Sequence, residues 1–355
     1  MNVPRLTLLL LAAAGWCQCA AAQLPLYVGE AVVAPAPATP ATTDTAAGRT
    51  ARAPILDALN QVLVRLTGQA GRDLVAALEI DAERAGQLAL ASQYRNVAVP
   101  GPDGGFVEQR RLRVDFDPEA VDRLVDQSEF SRWGHERPAF LVWIVTTDQG
   151  RAEYLEADPV IDYALEQAAF RYGIPLTRPI LDANDRIEVA PADIRGGFTG
   201  EALEAMRRYG ADGVIMLELR ENPDFVTGRW AWRIANLENA FQRSGADRIE
   251  VVELGIGRIA GALAARFAVD PQAASARRLV VSGIRSDAHY TELLAYLRGL
   301  TGVSRVRPLH AEGDTMTFEI VSSTGGLRER IRLTGPLAFE RHDLATGTLH
   351  YRLAW

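Results

Sequence analysis

Apolar side chains recur along this chain with two different periods, and the switches between them predict its elements. Residues 24–33 (LPLYVGEAVV) read as a short strand. From Pro54, the residues Ile55, Leu59, Val62, Leu63 and Leu66 fall on one face at three- and four-residue steps. That spacing predicts an amphipathic helix with proline in its first turn and Gly68 at its end. Two shorter helical stretches follow at 72–80 and 82–92, then strands at 94–99 and 106–116 joined by GPDGG. In the second strand Leu112, Val114 and Phe116 alternate with Arg111, Arg113 and Asp115, the two-residue period of a half-buried hairpin. Asp117-Pro118 then opens a helix carrying Val121, Leu124 and Val125, with Asp117 as its cap.

Residues 129–138 (EFSRWGHERP) read as a junction, and AFLVWIVTT at 139–147 has the unbroken apolar character of a buried central strand. Asp158-Pro159 starts a helix that points Val160, Ala164, Leu165 and Ala168 inward and ends at Gly173. A short strand near Leu176, a loop and a helix at 199–209 lead to the strand VIMLELR at 214–220. Its hairpin partner at 228–238 sets Trp230, Trp232 and Ile234 on one face.

The stretch 247–268 holds Gly255, Gly257 and Gly261, superficially the spacing of a dinucleotide loop. Ile249, Val252, Ile256, Ile259, Leu263 and Phe267 nevertheless keep helical steps straight through those glycines, which predicts one continuous helix. Glycine inside a helix costs about 1 kcal/mol, so close packing against a sheet is expected there. The tail follows the order strand (278–284), helix (287–299), strands (303–309 and 315–321), helix (325–333), strand (348–353). That is the β-α-β-β-α-β order of ferredoxin-like domains.

The expected fold class is therefore α+β, in multiple small mixed α/β modules. An N-terminal α+β domain spans 23–137, with a Pro/Ala/Thr-rich insertion at 34–50. A central α/β domain spans 138–272, and a C-terminal ferredoxin-like domain spans 273–355.

The first 22 residues change the picture most. Arg5, an apolar run at 6–14 and AAA at 20–22 predict a cleavable signal peptide, cut near Ala22-Gln23, and hence a periplasmic location. Both cysteines, Cys17 and Cys19, lie inside that segment, so cleavage leaves a cysteine-free mature chain without disulfides, thiolate nucleophiles or thiolate metal sites. All 38 basic residues are arginine. Lysine Schiff-base chemistry and the lysine of a phosphate-binding loop are excluded. No other segment approaches membrane-spanning length.

Charge is uneven. Residues 138–272 carry 14 arginines against 21 acids, whereas residues 273–355 carry 11 against 8. An acidic body argues against nucleic acid as a partner. The mildly basic tail could face anionic lipid or an acidic partner.

Candidate chemistry is sparse. The five histidines (135, 289, 310, 342 and 350) include no pair four residues apart on a helix and no HExxH, and no serine sits in a GxSxG turn. Asp115, Asp117 and Glu119 read as solvent-facing or capping carboxylates, and Arg110, Arg111 and Arg113 as a strand edge able to meet an anion. No catalytic, cofactor-binding or metal residues are assigned, and no cofactor is expected. The junction residues Trp133, His135, Glu136 and Arg137 are the candidate interaction site or interdomain latch. In the latch reading Trp133 is buried and Arg137 is paired to an acid. Trp230 and Trp232 are the second candidate, as sheet core or as an interaction surface.

AAQLPLYVGEAVV (21–33), ALNQVLVRLTG (58–68), VDFDPEAVDRL (114–124), YGADGVIMLEL (209–219) and above all WGHERPAFLVWIV (133–145) resemble an exported proteobacterial family known as domain of unknown function 2066. The resemblance implies a periplasmic location and no established activity. The functional expectation is a non-catalytic binding or scaffolding accessory of the cell envelope, with other envelope proteins as partners. A hydrolase acting on an envelope polymer and an anion-binding module are the alternatives.

Overall fold

Several helices begin or end where a local chemical signal places them. In the computed structural model, which describes residues 25–33, 53–101, 105–268, 274–323, 327–343 and 346–354, the first helix, α1, runs Pro54–Thr67. Proline opens it and Gly68, at φ 71°, closes it, as the spacing predicts. The Asp117 carboxylate accepts the amides of Glu119 and Ala120 at the start of α4 (Pro118–Asp126). Asp158 does the same for Val160 and Ile161 at the start of α5 (Pro159–Tyr172). Such a cap contributes about 1 kcal/mol. The predicted signal segment at 1–22 and the insertion at 34–50 lie outside the described residues.

The chain has an α+β fold of several modules. Strand β1 (Val28–Val32) pairs antiparallel with β3 (Phe106–Phe116), which pairs with β2 (Ala89–Pro100). Between β1 and β2 come α1 and the short helices α2 (Leu74–Ala77) and α3 (Ala82–Leu88). The helix expected to reach residue 92 gives way to β2 at Ala89, because pairing to β3 begins there.

A second sheet has the order β5-β4-β7-β8-β9, with β6 (Leu176–Thr177) also on β4. Its strands are β4 (Phe140–Asp148), β5 (Arg151–Tyr154), β7 (Gly213–Glu221), β8 (Val226–Ile234) and β9 (Leu237–Gly245). The strand expected over 228–238 is two strands: Ala235, at φ 52°, turns the chain between β8 and β9. The segment expected as a loop before residue 199 holds two short helices, α6 (Ala183–Glu188) and α7 (Pro191–Gly196), ahead of α8 (Thr199–Arg208).

Helices α1, α5 and α9 (Arg248–Phe267) pack between the two sheets. Their apolar cluster runs without a break from Leu26 to Phe267, across residues 137 and 138. The other face of the second sheet buries Leu141, Trp143, Val145, Val214 and Met216 under α7 and α8. The glycine-bearing segment is indeed one helix, and its packing explains Gly255. A Cβ there would lie 2.1 Å from Cζ2 of Trp230, so only glycine lets the helix approach that ring.

The C-terminal module has its own core. Strand β10 (Ser275–Ser282), α10 (Asp287–Gly299), β11 (Val303–Glu312), β12 (Thr315–Ser322), α11 (Leu327–Thr334), β13 (Leu337–Asp343) and β14 (Thr348–Leu353) form a sheet ordered β11-β12-β10-β14-β13. The β-α-β-β-α-β order is present with one further strand. The crossover from β12 through α11 delivers β13 to the outer edge, and β14 fills the gap, parallel to β10. Both helices lie on one face, where Leu293, Leu297, Leu327 and Ile331 meet Leu279, Phe318 and Tyr351.

Candidate functional site

The junction residues are brought together, and they join three parts of the chain. Trp133 is fully buried, and its amide donates to the Leu66 carbonyl at the end of α1 (2.6 Å). The Arg137 guanidinium lies 3.8 Å from the centre of the Trp133 ring. It donates from Nε to the Gly134 carbonyl (2.8 Å) and from Nη2 to the carbonyls of Trp133 (2.8 Å) and Arg65 (3.0 Å). The expected acid partner of Arg137 is replaced by these carbonyls. Burial, and then the nearby Arg65, push the Arg137 guanidinium well below its ordinary range.

Glu136 makes the ion pair instead. Its carboxylate accepts the Thr301 amide (2.8 Å) and Nη1 of Arg330 (2.6 Å), both from the C-terminal module. Burial pushes the Glu136 carboxyl up, but Arg330 and the Thr301 bonds outweigh it and hold the group below the ordinary carboxylate range. Arg330 also donates to the carbonyl of Phe267, the last residue of α9. A Cβ at Gly134 would fall 2.1 Å from Thr301 Cγ2, so the Thr301 side chain packs directly on the Gly134 backbone. His135 is exposed, its ring centre 5.9 Å from that of Tyr27. Trp230 and Trp232 lie in the core beneath α9, Trp230 stacked on Phe241 at 6.0 Å. Of the six residues, the three tryptophans thus present no surface. Glu136 and Arg137 fasten the chain's parts together.

Nor is the strand edge at 110–113 an open anion site. Arg111 is buried and bonds Tyr163, Gln167 and Gln109, while Arg113 reaches Glu30 at 3.4 Å. Arg110 lies over the Tyr94 ring.

An open cleft lies elsewhere, at the carboxyl ends of the parallel strands β4 and β7. Ligands of open α/β sheets bind at this end, where connections diverge and side chains reach past the last helix. Two adjoining hollows of about 640 and 480 Å3 share Arg220, Asn222 and Arg229. Helix α7 covers the sheet only part-way, and Arg195 on its last turn is held to the Gly150 carbonyl (2.5 Å). Phe198 and Phe225 stand exposed at the rims.

The floor is built around Glu218, which is only 1% exposed. Its Oε1 accepts the Thr147 hydroxyl (2.7 Å) and both Nε (3.0 Å) and Nη2 (2.9 Å) of Arg220. Its Oε2 has no hydrogen-bond partner among the described residues. The side-on grip fixes the Arg220 guanidinium. Directly across the sheet from Glu218 sits Arg229, and across from Arg229 sits Gln242. Arg229 makes no ion pair or hydrogen bond through its side chain among the described residues, and of the nearby acids Glu221 is already taken by Arg248. Among the described residues no group of three or more His, Cys, Asp or Glu is placed to hold a metal ion.

Sequence reasoning passed over this cleft. Its one linear signal is in VIMLELR, where Glu218 and then Arg220 follow the apolar Val214 and Met216 on one face of the strand. The opposition of Arg229 follows from register, which no linear pattern displays.

A family model described as "Domain of unknown function (DUF8605)" matches residues 36–134. The match corrects the expected resemblance to domain of unknown function 2066, which is a different family. A solved structure, the LpoB C-terminal domain from Salmonella enterica, is similar at 14% identity and TM-score 0.23, covering 36% of this chain and 91% of that one. No curated protein matches. Among the described residues no helix is long and apolar enough to cross a membrane.

Proposed function

We propose that this chain is an exported, periplasmic binding accessory of the cell envelope, acting beside other envelope proteins, and that its central cleft takes a ligand bearing a carboxylate or phosphate group. Export is supported by the charge, apolar run and small residues of positions 1–22. The observation that carries the ligand reading is Arg229. It has no partner among the described residues, opposite a buried carboxylate already engaged by Arg220. A guanidinium pair of this kind, one arm locked and one open, is preorganised for a planar or tetrahedral oxyanion. The exposed Phe198 and Phe225 offer apolar contact to the remainder of the ligand.

The test is calorimetric titration of the purified chain with inorganic phosphate and with citrate. Binding of at least one is expected, weakened about tenfold in Arg229→Ala, the ~1.5 kcal/mol that one charge-assisted hydrogen bond contributes. The melting temperature should not change. Wild-type protein that takes up neither anion, or an Arg229→Ala variant that binds as well, sinks the reading.

A further inference from the structure

We propose that the C-terminal module docks on a membrane surface, through the face of its sheet that α10 and α11 leave uncovered, by binding anionic phospholipid headgroups. The strand register fixes what that face presents. Leu279, Val281, Phe318, Ile320, Leu349 and Tyr351 point toward the helices, so their neighbours point away. On the uncovered side, Arg307 of β11 lies opposite Glu319 of β12, which lies opposite Arg278 of β10. One step along, His310 lies opposite Thr317, Thr317 opposite Val280, Val280 opposite His350 of β14, and His350 opposite Arg341 of β13. Arg305 extends the row beyond Arg307.

Four guanidiniums, those of Arg278, Arg305, Arg307 and Arg341, therefore share one face, and none has an ion pair or hydrogen-bond partner among the described residues. Three acids share that side: Glu319 between Arg307 and Arg278, Glu340 bonded to Arg352, and Asp343 near the end of β13.

Shape and composition select the partner. With strands about 4.8 Å apart, a five-stranded face spreads its charges over roughly 19 Å, which suits a charged plane better than one small anion. The positions between the arginines are Val280, Thr317 and Val321. Single-stranded nucleic acid is held chiefly by bases stacked on Phe, Tyr or Trp, and these positions supply none of the three. A shallow hollow of about 460 Å3 among Arg278, His310, Arg341 and His350 has room for a headgroup; Leu309, 37% exposed, and Asp343 also line it, the carboxylate facing two guanidiniums and two imidazoles. Each basic residue near an anionic leaflet strengthens attachment about fivefold.

The experiment is co-sedimentation of the full chain with vesicles of phosphatidylcholine alone or with about a third phosphatidylglycerol, at low and high salt. Binding to the anionic vesicles alone is expected, reduced by salt. The double variant Arg278→Gln/Arg307→Gln should bind roughly twenty-five-fold more weakly. A control with the same charge change elsewhere, Arg123→Gln/Arg207→Gln, should bind like the wild type, since both residues are exposed in pairs on helix surfaces. Absence of anionic-vesicle binding overturns the proposal, as does an equal loss in the control. Tighter retention on single-stranded RNA than on vesicles would overturn it in favour of nucleic acid. Self-association that the double variant abolishes, without vesicle binding, would overturn it in favour of a second copy.

Discussion

The body formed by residues 25–268 and the C-terminal module both build a mixed sheet with helices against it, yet they use arginine in opposite ways. In the body Arg65 is fully buried. It lies over Phe170 and donates from Nη1 to the carbonyls of Pro25, Leu26 and Val28. Burial pushes its guanidinium down to about 9. Arg111, Arg178 and Arg248 likewise tie one element to another. In the C-terminal module Arg330 alone is sealed, and it faces the body; the open face keeps Arg278, Arg305, Arg307 and Arg341 without partners among the described residues. In a chain without lysine, the same side chain is both internal fastener and surface charge. Burial and carbonyl neighbours tell which.

That contrast is broken most forcefully at the point where the two regions meet. Arg330 is an internal fastener in the module, so Arg330→Ala should behave like a core lesion. Removing it leaves Glu136, which is mostly buried, and the Phe267 carbonyl without their guanidinium. Loss of one partner of a buried pair costs about 3–5 kcal/mol. Urea unfolding followed by far-ultraviolet circular dichroism should show the midpoint drop by that amount, or split as the module releases first. A midpoint unchanged within error would mean that the ion pair does not fasten the module.

A smaller effect is expected within the body, from a position that carries no charge. Gly255→Ala places a methyl into the Trp230 ring, where both the helix backbone and the ring are buried. Overpacking of this kind costs about 1–3 kcal/mol, against the ~1 kcal/mol that alanine gains over glycine inside a helix. The net expectation is a loss of up to ~2 kcal/mol in urea, with altered tryptophan fluorescence. A stabilised variant would show that the close approach is not what selects glycine here.

These two sites also mark what the sequence makes legible. Asp117-Pro118, Asp158-Pro159 and Gly68 are local signals, and the helices they bound begin and end accordingly. The continuity of α9 through Gly255 was readable because periodicity outlasts single residues. Three of the edge strands were not: β5, β9 and β13 each have one partner and bury at most one side chain, so they lack apolar alternation. The short helices α6 and α7 make less than two turns each and show no period. The junction could be chosen for its residue types, but which of its charges pairs with what is a tertiary fact. Arg137 found carbonyls and Glu136 found Arg330, 194 positions along the chain. The cleft depends on the pairing of Glu218 with Arg229, which a slip of one residue in register would abolish.

The smallest expected change is the most telling for the comparison. Arg278 and Arg307 touch no acid and no carbonyl among the described residues, and both are exposed. Arg278→Gln/Arg307→Gln should therefore leave the urea midpoint within about 0.5 kcal/mol of wild type. Any change inside that range should be a slight loss, because each arginine stands directly opposite Glu319 and opposite charges attract across a sheet. A loss of more than ~1 kcal/mol would place these arginines among the internal fasteners after all and erase the distinction between the two regions. A neutral result keeps it. It also means that any binding lost in the same variant is lost at the surface, since Arg330 and the core beneath α10 and α11 are untouched.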